Sequence, residues 1–405
     1  MHGLPLEGVW LTSLAFSSTE GDKSILAIGR SNGSLVLKST VDTLPRFEIG
    51  QPHPIACVSW RPVSTSRPSK SPFNPGVTVM TEDLLVGDET GIIYYYLVEW
   101  PLGWEVTRNT WSGSISLKAK ISLHTQQICG LAWSPDGKLF ASGGNDNLCC
   151  LTEVDKVLAD PSPAVLEPAS SGSEAEDQDS GPDFETTRLS APHAPQSRET
   201  SHPGAFGDTA PPTPSSSIRH LESGSERYRW VHGAAIKAIA FCPWREGLVA
   251  TGGGSNDKCI HFYHTMSGAA LATIAVSAQV TSLIWSTTRR EIAATFGYAQ
   301  PDHPFRIAIF SWPDCKQVAA IPWEGDLRAL YAIPYPSSPL SSTSEEFSRP
   351  AQEGCIVVAS SDKSVKFHEV WSSERQATVG GAGTLGGSDI LEALEGIDKE
   401  GDVIR

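Results

Sequence analysis

The feature that most constrains this chain is an internal repeat of roughly forty residues. A unit of that size cannot bury an apolar face alone and must stack against others of its kind. Residues 124–154 and 232–264 align with each other, and 278–312 follows more loosely. Each unit has an apolar strand ending on an aromatic, a turn, a second strand ending in small residues, another turn and a third strand. Ile128-Cys129-Gly130-Leu131-Ala132-Trp133 suits a strand buried between neighbouring sheets. Ser134-Pro135-Asp136-Gly137 is a tight turn, with proline pre-setting φ and glycine accepting a positive one. Ala141-Ser142-Gly143-Gly144 puts small residues where the backbone passes close to a neighbour, and Asn145-Asp146-Asn147 tolerates the left-handed geometry of the next turn.

Three more degenerate units occupy residues 9–37, 53–100 and 326–371, the last two interrupted by Ser/Pro-rich loops at 64–75 and 337–353. Six such units, with 36 Gly and 29 Pro for their turns, predict an all-β WD-repeat β-propeller. The Trp-Asp dipeptide itself is absent, so the reading rests on the pattern. Residues 155–224 break the array: they are rich in Ser, Pro, Ala and acids, and bury too little to offset the entropy of ordering. The expected organisation is propeller over 4–154 and 225–372, a disordered acidic insertion over 155–224, and a flexible tail over 373–405. Ile390 to Ile397 within that tail reads as a short amphipathic helix.

A formal net charge of −15 without a basic stripe argues against nucleic-acid binding and suits basic protein segments, or simply solubility. No secretory leader and no apolar run of membrane-spanning length are legible, so neither export nor a membrane partner is expected. The eight cysteines form no C-x-x-C pair, and most sit in strand-like runs. They read as buried free thiols of the nucleus or cytoplasm, and neither cofactor nor metal is expected. No G-x-S-x-G, H-E-x-x-H or phosphate-binding loop is present, so no catalytic residues are expected. His124 with Asp146, and His232 with Asp257, are read as structural pairs joined through a Ser or Thr, with a proton-relay or ligand role as the alternative.

Cys129-GLAWSPDGKLFASGGNDN, His232-GAAIKAIAFCPW, Ala250-TGGGSNDKCIHFY and Phe296-GYAQ resemble the fizzy and fizzy-related family, the WD-repeat activators and substrate receptors of the anaphase-promoting complex. The terminal Ile404-Arg405 matches as well, and residues 278–336 look most like the fungal meiotic branch. The resemblance implies a seven-bladed propeller whose top face holds the KEN degron of substrates. The matching positions are Asn145, Asn147, Ser255, Gln300 and Arg328. Amides suit the lysine and asparagine of such a peptide, and Arg328 suits its glutamate. For Asn145 and Asn147 turn formation alone remains the alternative. Ile404 and Arg405 would dock the tail on a helical-repeat scaffold subunit of the ligase.

Two departures qualify this. The family's C-box, D-R-[FY]-I-P-x-R, is not found, and the first legible unit corresponds to the second blade of seven, so either an N-terminally incomplete version or a variant that does not activate by the usual route is expected. Lys363 stands where the family usually has an acid that holds the arginine of a destruction box, and a like charge there opposes that degron. The rival functions are a general WD scaffold without ligase contact and, more remotely, an enzymatic propeller with a metal in its channel.

Overall fold

The computed structural model describes residues 8–17, 25–73, 75–159, 218–299, 303–335 and 354–371. Among them are six sheets. Sheet 1 contains β1 (Leu11–Phe16), β2 (Ile25–Arg30), β3 (Ser34–Ser39) and β4 (Phe47–Gly50). Sheet 2 contains β5 (Ile55–Trp60), β6 (Thr65–Pro68), β7 (Thr78–Asp88), β8 (Ile92–Glu99) and β9 (Ser114–Ser122), with the helix α1 (Gly103–Asn109) between the last two. Sheet 3 opens with β10 (Ile128–Trp133), β11 (Leu139–Gly144) and β12 (Leu148–Glu153), after which comes α2 (Val154–Leu158). The chain then returns to sheet 2 as β13 (Arg219–Glu222), parallel to β9, before β14 (Tyr228–Val231) completes sheet 3. Sheet 4 is β15 (Ile236–Phe241), β16 (Leu248–Gly253), β17 (Cys259–His264) and β18 (Ala270–Ala275). Sheet 5 is β19 (Ala278–Trp285), β20 (Glu291–Ala299), β21 (Phe305–Ser311) and β22 (Gln317–Pro322). Sheet 6 is β23 (Ala329–Tyr335), β24 (Cys355–Ser360) and β25 (Val365–Glu369).

The first strand of each sheet packs on the first strand of the next, from β1 through β5, β10, β15 and β19 to β23. This is the radial stacking of a six-bladed propeller arrangement, and sequence patterning explains how it is held. The tryptophan closing a first strand donates its indole N–H to the first strand of the preceding sheet. Trp60 reaches Ala15 O at 3.0 Å, Trp133 reaches Ser59 O at 3.3 Å and Trp285 reaches Ala240 O at 3.0 Å. Glycines near the ends of the second strands of sheets 1 to 4 admit the next sheet. A Cβ on Gly29 would stand 2.6 Å from Ile55, and one on Gly252 would stand 2.4 Å from Val280. Turn chemistry agrees with the sequence too: Gly137 has φ 67° and Asn147 φ 65°.

Two expectations need correction. The loop read at 64–75 contributes β6, which pairs with β7. The insertion read as disordered from 155 to 224 is ordered at both ends, where Val157 in α2 and Leu221 in β13 are buried in the core that sheets 2 and 3 share. These apolar residues are spaced too sparsely within polar sequence to signal an element by periodicity. Residues 160–217 lie outside the described residues, as does the helix expected at 390–397. Among the described residues no helix is long and apolar enough to cross a membrane.

Candidate functional site

In an antiparallel sheet the start of the first strand and the turn between the second and third strands fall at the same end. Asn145 and Asn147 occupy that turn in sheet 3, Ser255 occupies it in sheet 4, and Arg328 immediately precedes the first strand of sheet 6. These four positions therefore share one end of the stacked sheets. No side-chain hydrogen bond or ion pair joins them to one another. Gln300 lies outside the described residues, and so do Ile404 and Arg405.

Local structure decides what each can offer. Asn145 is exposed, with its backbone N–H on Gln127 O at 2.8 Å and its side-chain amide donating to Gln126 Oε1 at 2.7 Å. Asn147 is half-buried and left-handed, and its carbonyl accepts the His232 N–H at 2.9 Å, so it also ties sheet 3 to the entry of sheet 4. Ser255 is exposed at the tip of its turn. Arg328 is held by its backbone, with N to Ser361 Oγ and Ser361 N to its carbonyl, both at 3.0 Å. Its exposed guanidinium lies 5.4 Å from the centre of the Tyr298 ring, in cation–π range.

Two residues that sequence reasoning left unassigned join this end. Tyr298 is exposed at the end of β20 and forms the platform for Arg328. Lys237, in β15, extends past sheet 5 to donate to Leu330 O in sheet 6 at 3.3 Å and lies over the Tyr331 ring. A motif has no signal for Lys237, whose reach depends on the inner strands facing one another. Lys363 is left-handed at the tip of the turn before β25, while the neighbouring Asp362 is occupied by Ser364 at 2.6 Å and Lys366 at 3.3 Å.

The paired histidines behave differently in two sheets. In sheet 3 the network closes as expected: His124 Nδ1 meets Asp146 at 3.0 Å and Nε2 meets Ser142 Oγ at 2.8 Å. In sheet 4, His232 Nε2 meets Thr251 Oγ1 at 2.7 Å, but Asp257 turns to His261 Nε2 at 2.9 Å. The expected His232–Asp257 bond is not made, because His261 presents a second imidazole four residues along the same strand face. Burial first, and then the neighbouring His261, hold His232 down to about 4. Burial acts to raise Asp257, yet its bonds and charge pairing with His261 keep the carboxyl below its ordinary value. Asp257, Cys259 and His261 bring ligand atoms within 4.8 Å of one another. The C-x-x-C pattern misses this set, since its signal is D-x-C-x-H, the period of a strand. No disulfide forms among the cysteines.

Comparison with known proteins agrees with the fold. The WD domain, G-beta repeat family matches residues 115–152. Meiotic fizzy-related protein 2 of Schizosaccharomyces pombe is 29% identical over 402 residues, covering 96% of this chain and 59% of that protein. The meiosis-specific APC/C activator protein AMA1 of Saccharomyces cerevisiae is 29% identical over 286 residues, covering 70% of this chain and 35% of that protein. This chain thus spans less than two thirds of either relative. Among solved structures, a chain of the mitotic checkpoint complex superposes with a TM-score of 0.55 at 23% identity, covering 90% of this chain and 76% of that one.

Proposed function

We propose that this WD-repeat propeller, whose homologues are anaphase-promoting complex activators of the fizzy-related kind, including the meiotic branch, recruits substrates to that ubiquitin ligase without catalysing a reaction. The degron would be of the KEN type, held at the end of the propeller that carries Asn145, Asn147, Ser255 and Arg328. The observation that carries this reading is Arg328, fixed by its backbone to Ser361 and stacked on Tyr298 with its guanidinium exposed. A glutamate carboxylate approaching there meets a planar, pre-positioned double donor. Asn145, already oriented by Gln126, supplies an amide for the peptide's lysine or asparagine. Gln300 and the Ile404-Arg405 tail complete the proposal, the tail as the contact to a helical-repeat scaffold subunit, with action in nucleus and cytoplasm during division or meiosis.

The test is fluorescence anisotropy with a labelled KEN peptide. Arg328→Ala and the Asn145→Ala, Asn147→Ala pair should each weaken binding about 10- to 100-fold, as loss of a charge-assisted hydrogen bond does. Equal affinities in wild type and both variants would remove the receptor reading. Deleting Ile404 and Arg405 should abolish capture of the ligase from extract while sparing peptide affinity, and unchanged capture would leave a general scaffold.

A further inference from the structure

We propose that Asp257, Cys259, His261 and His232 form a zinc site at the entry of sheet 4. Asp257, Cys259 and His261 stand at alternate positions through the turn and into β17, so their side chains leave one face. A tetrahedral zinc with bonds of about 2.0–2.3 Å needs its ligand atoms roughly 3.3–3.7 Å apart. Asp257 Oδ2 and His261 Nε2 are 2.9 Å apart, and the whole trio falls within 4.8 Å, so small rotations complete the geometry.

His232 supplies the independent observation. It is 5% exposed, and its Nδ1 makes no well-aligned hydrogen bond, a weak backbone contact to Trp230 aside. Its ring stands edge-on to His261, with centroids 4.7 Å apart. A buried nitrogen so poorly matched carries part of a desolvation penalty that coordination would remove. The remaining nitrogens are arranged as zinc ligands require. His232 Nε2 meets Thr251 Oγ1 at 2.7 Å and His261 Nδ1 meets Thr273 Oγ1 at 3.1 Å. With the N–H of each ring placed on its threonine, the other nitrogen carries the lone pair that a metal needs.

Sheet 3 serves as a control built into the same chain. There the corresponding histidine, His124, has both nitrogens satisfied by Asp146 and Ser142. The positions two and four beyond Asp146 are Leu148 and Cys150, not cysteine and histidine. The same scaffold therefore closes as a hydrogen-bond network in one sheet and gathers a donor set of mixed nitrogen, oxygen and sulfur in the next. Such a set favours zinc over the hard cations. Asp257 also accepts the Gly233 N–H at 3.1 Å, so the metal would brace the turn that bears Ser255 against the strand entry.

Cobalt substitution tests this on the full chain, independently of any degron. After chelation, Co²⁺ titration should show one equivalent bound, with tetrahedral visible bands and a sulfur-to-cobalt charge-transfer band, all displaced by Zn²⁺. Cys259→Ser should lose the charge-transfer band, while Cys129→Ser, in sheet 3, should keep it. His232→Gln should lower Zn²⁺ affinity at least about tenfold. A wild-type spectrum without the charge-transfer band overturns the site, whether or not any variant folds. Persistence of that band in Cys259→Ser overturns it equally, and unchanged affinity in His232→Gln removes His232 as the fourth ligand.

Discussion

Asp83 is fully buried, yet it meets two cations and a phenol: Arg61 at 2.8 Å, Arg67 at 2.6 Å and Tyr95 at 2.8 Å. Arg61 also donates to Gly137 O at 2.7 Å, so the cluster joins sheet 2 to the turn of sheet 3. Removing the carboxylate strands two guanidiniums, and Asp83→Ala should lower unfolding free energy by about 3–5 kcal/mol in a urea titration. Spacing along the chain carried no hint of this, since Arg67 arrives on β6 out of a stretch that reads as a Ser/Pro loop. The left-handed Asn147 and Gly137, by contrast, were legible, because their conformation is a property of the residue and its immediate turn. His368 shows a further consequence of burial. Desolvation, and then Lys366, push its imidazole below the ordinary value. The neutral form is thus favoured in the folded state, so its contribution is complete above the unfolded value of about 6.5 and is lost as pH falls through the folded one. Thermal unfolding of His368→Phe should depend less on pH below that value than wild type does.

At the scale of strands, the aromatic that ends each first strand was readable as a core residue, but its second role was not. The indole N–H of Trp133 bridges to Ser59 O, a contact that exists only once two sheets are stacked. Trp133→Phe keeps most of the apolar burial and should lower stability by about 1 kcal/mol by denaturant unfolding, close to the worth of one hydrogen bond. The glycines at the ends of second strands were legible as sites of close approach, and the Cβ positions bear this out. The same local logic failed for the D-x-C-x-H run. Its strand period marks a shared face, but the histidine that would complete it comes from 25 residues upstream of Asp257, counting from His232.

Across the whole molecule, sheets 2 to 5 are covered on both faces, while sheets 1 and 6 each have one face without a neighbouring sheet among the described residues. On sheet 6 that face carries Ile333, Tyr335, Val365 and Phe367, all exposed, in cross-strand rows set by the register Ile333–Val357–Phe367, with Tyr331 beside them under Lys237. On sheet 1 it carries Leu14 and Phe16, beside Trp10. Aromatic rows of this kind promote self-association. Phe367→Lys with Ile333→Thr should raise the soluble fraction in sedimentation without lowering the melting temperature, and a large drop in melting temperature would mean the face is packed.

The return of the chain to sheet 2 as β13, before β14 finishes sheet 3, has a mechanical corollary. Two strand pairings, β9 with β13 and β12 with β14, join the part of the chain before residue 160 to the part after residue 217. Arg219, bonding to the Ala159 carbonyl, draws those two points together. A protease cut anywhere between them would sever the polypeptide without releasing either fragment. The gene split at that point should yield two halves that reassociate when co-expressed.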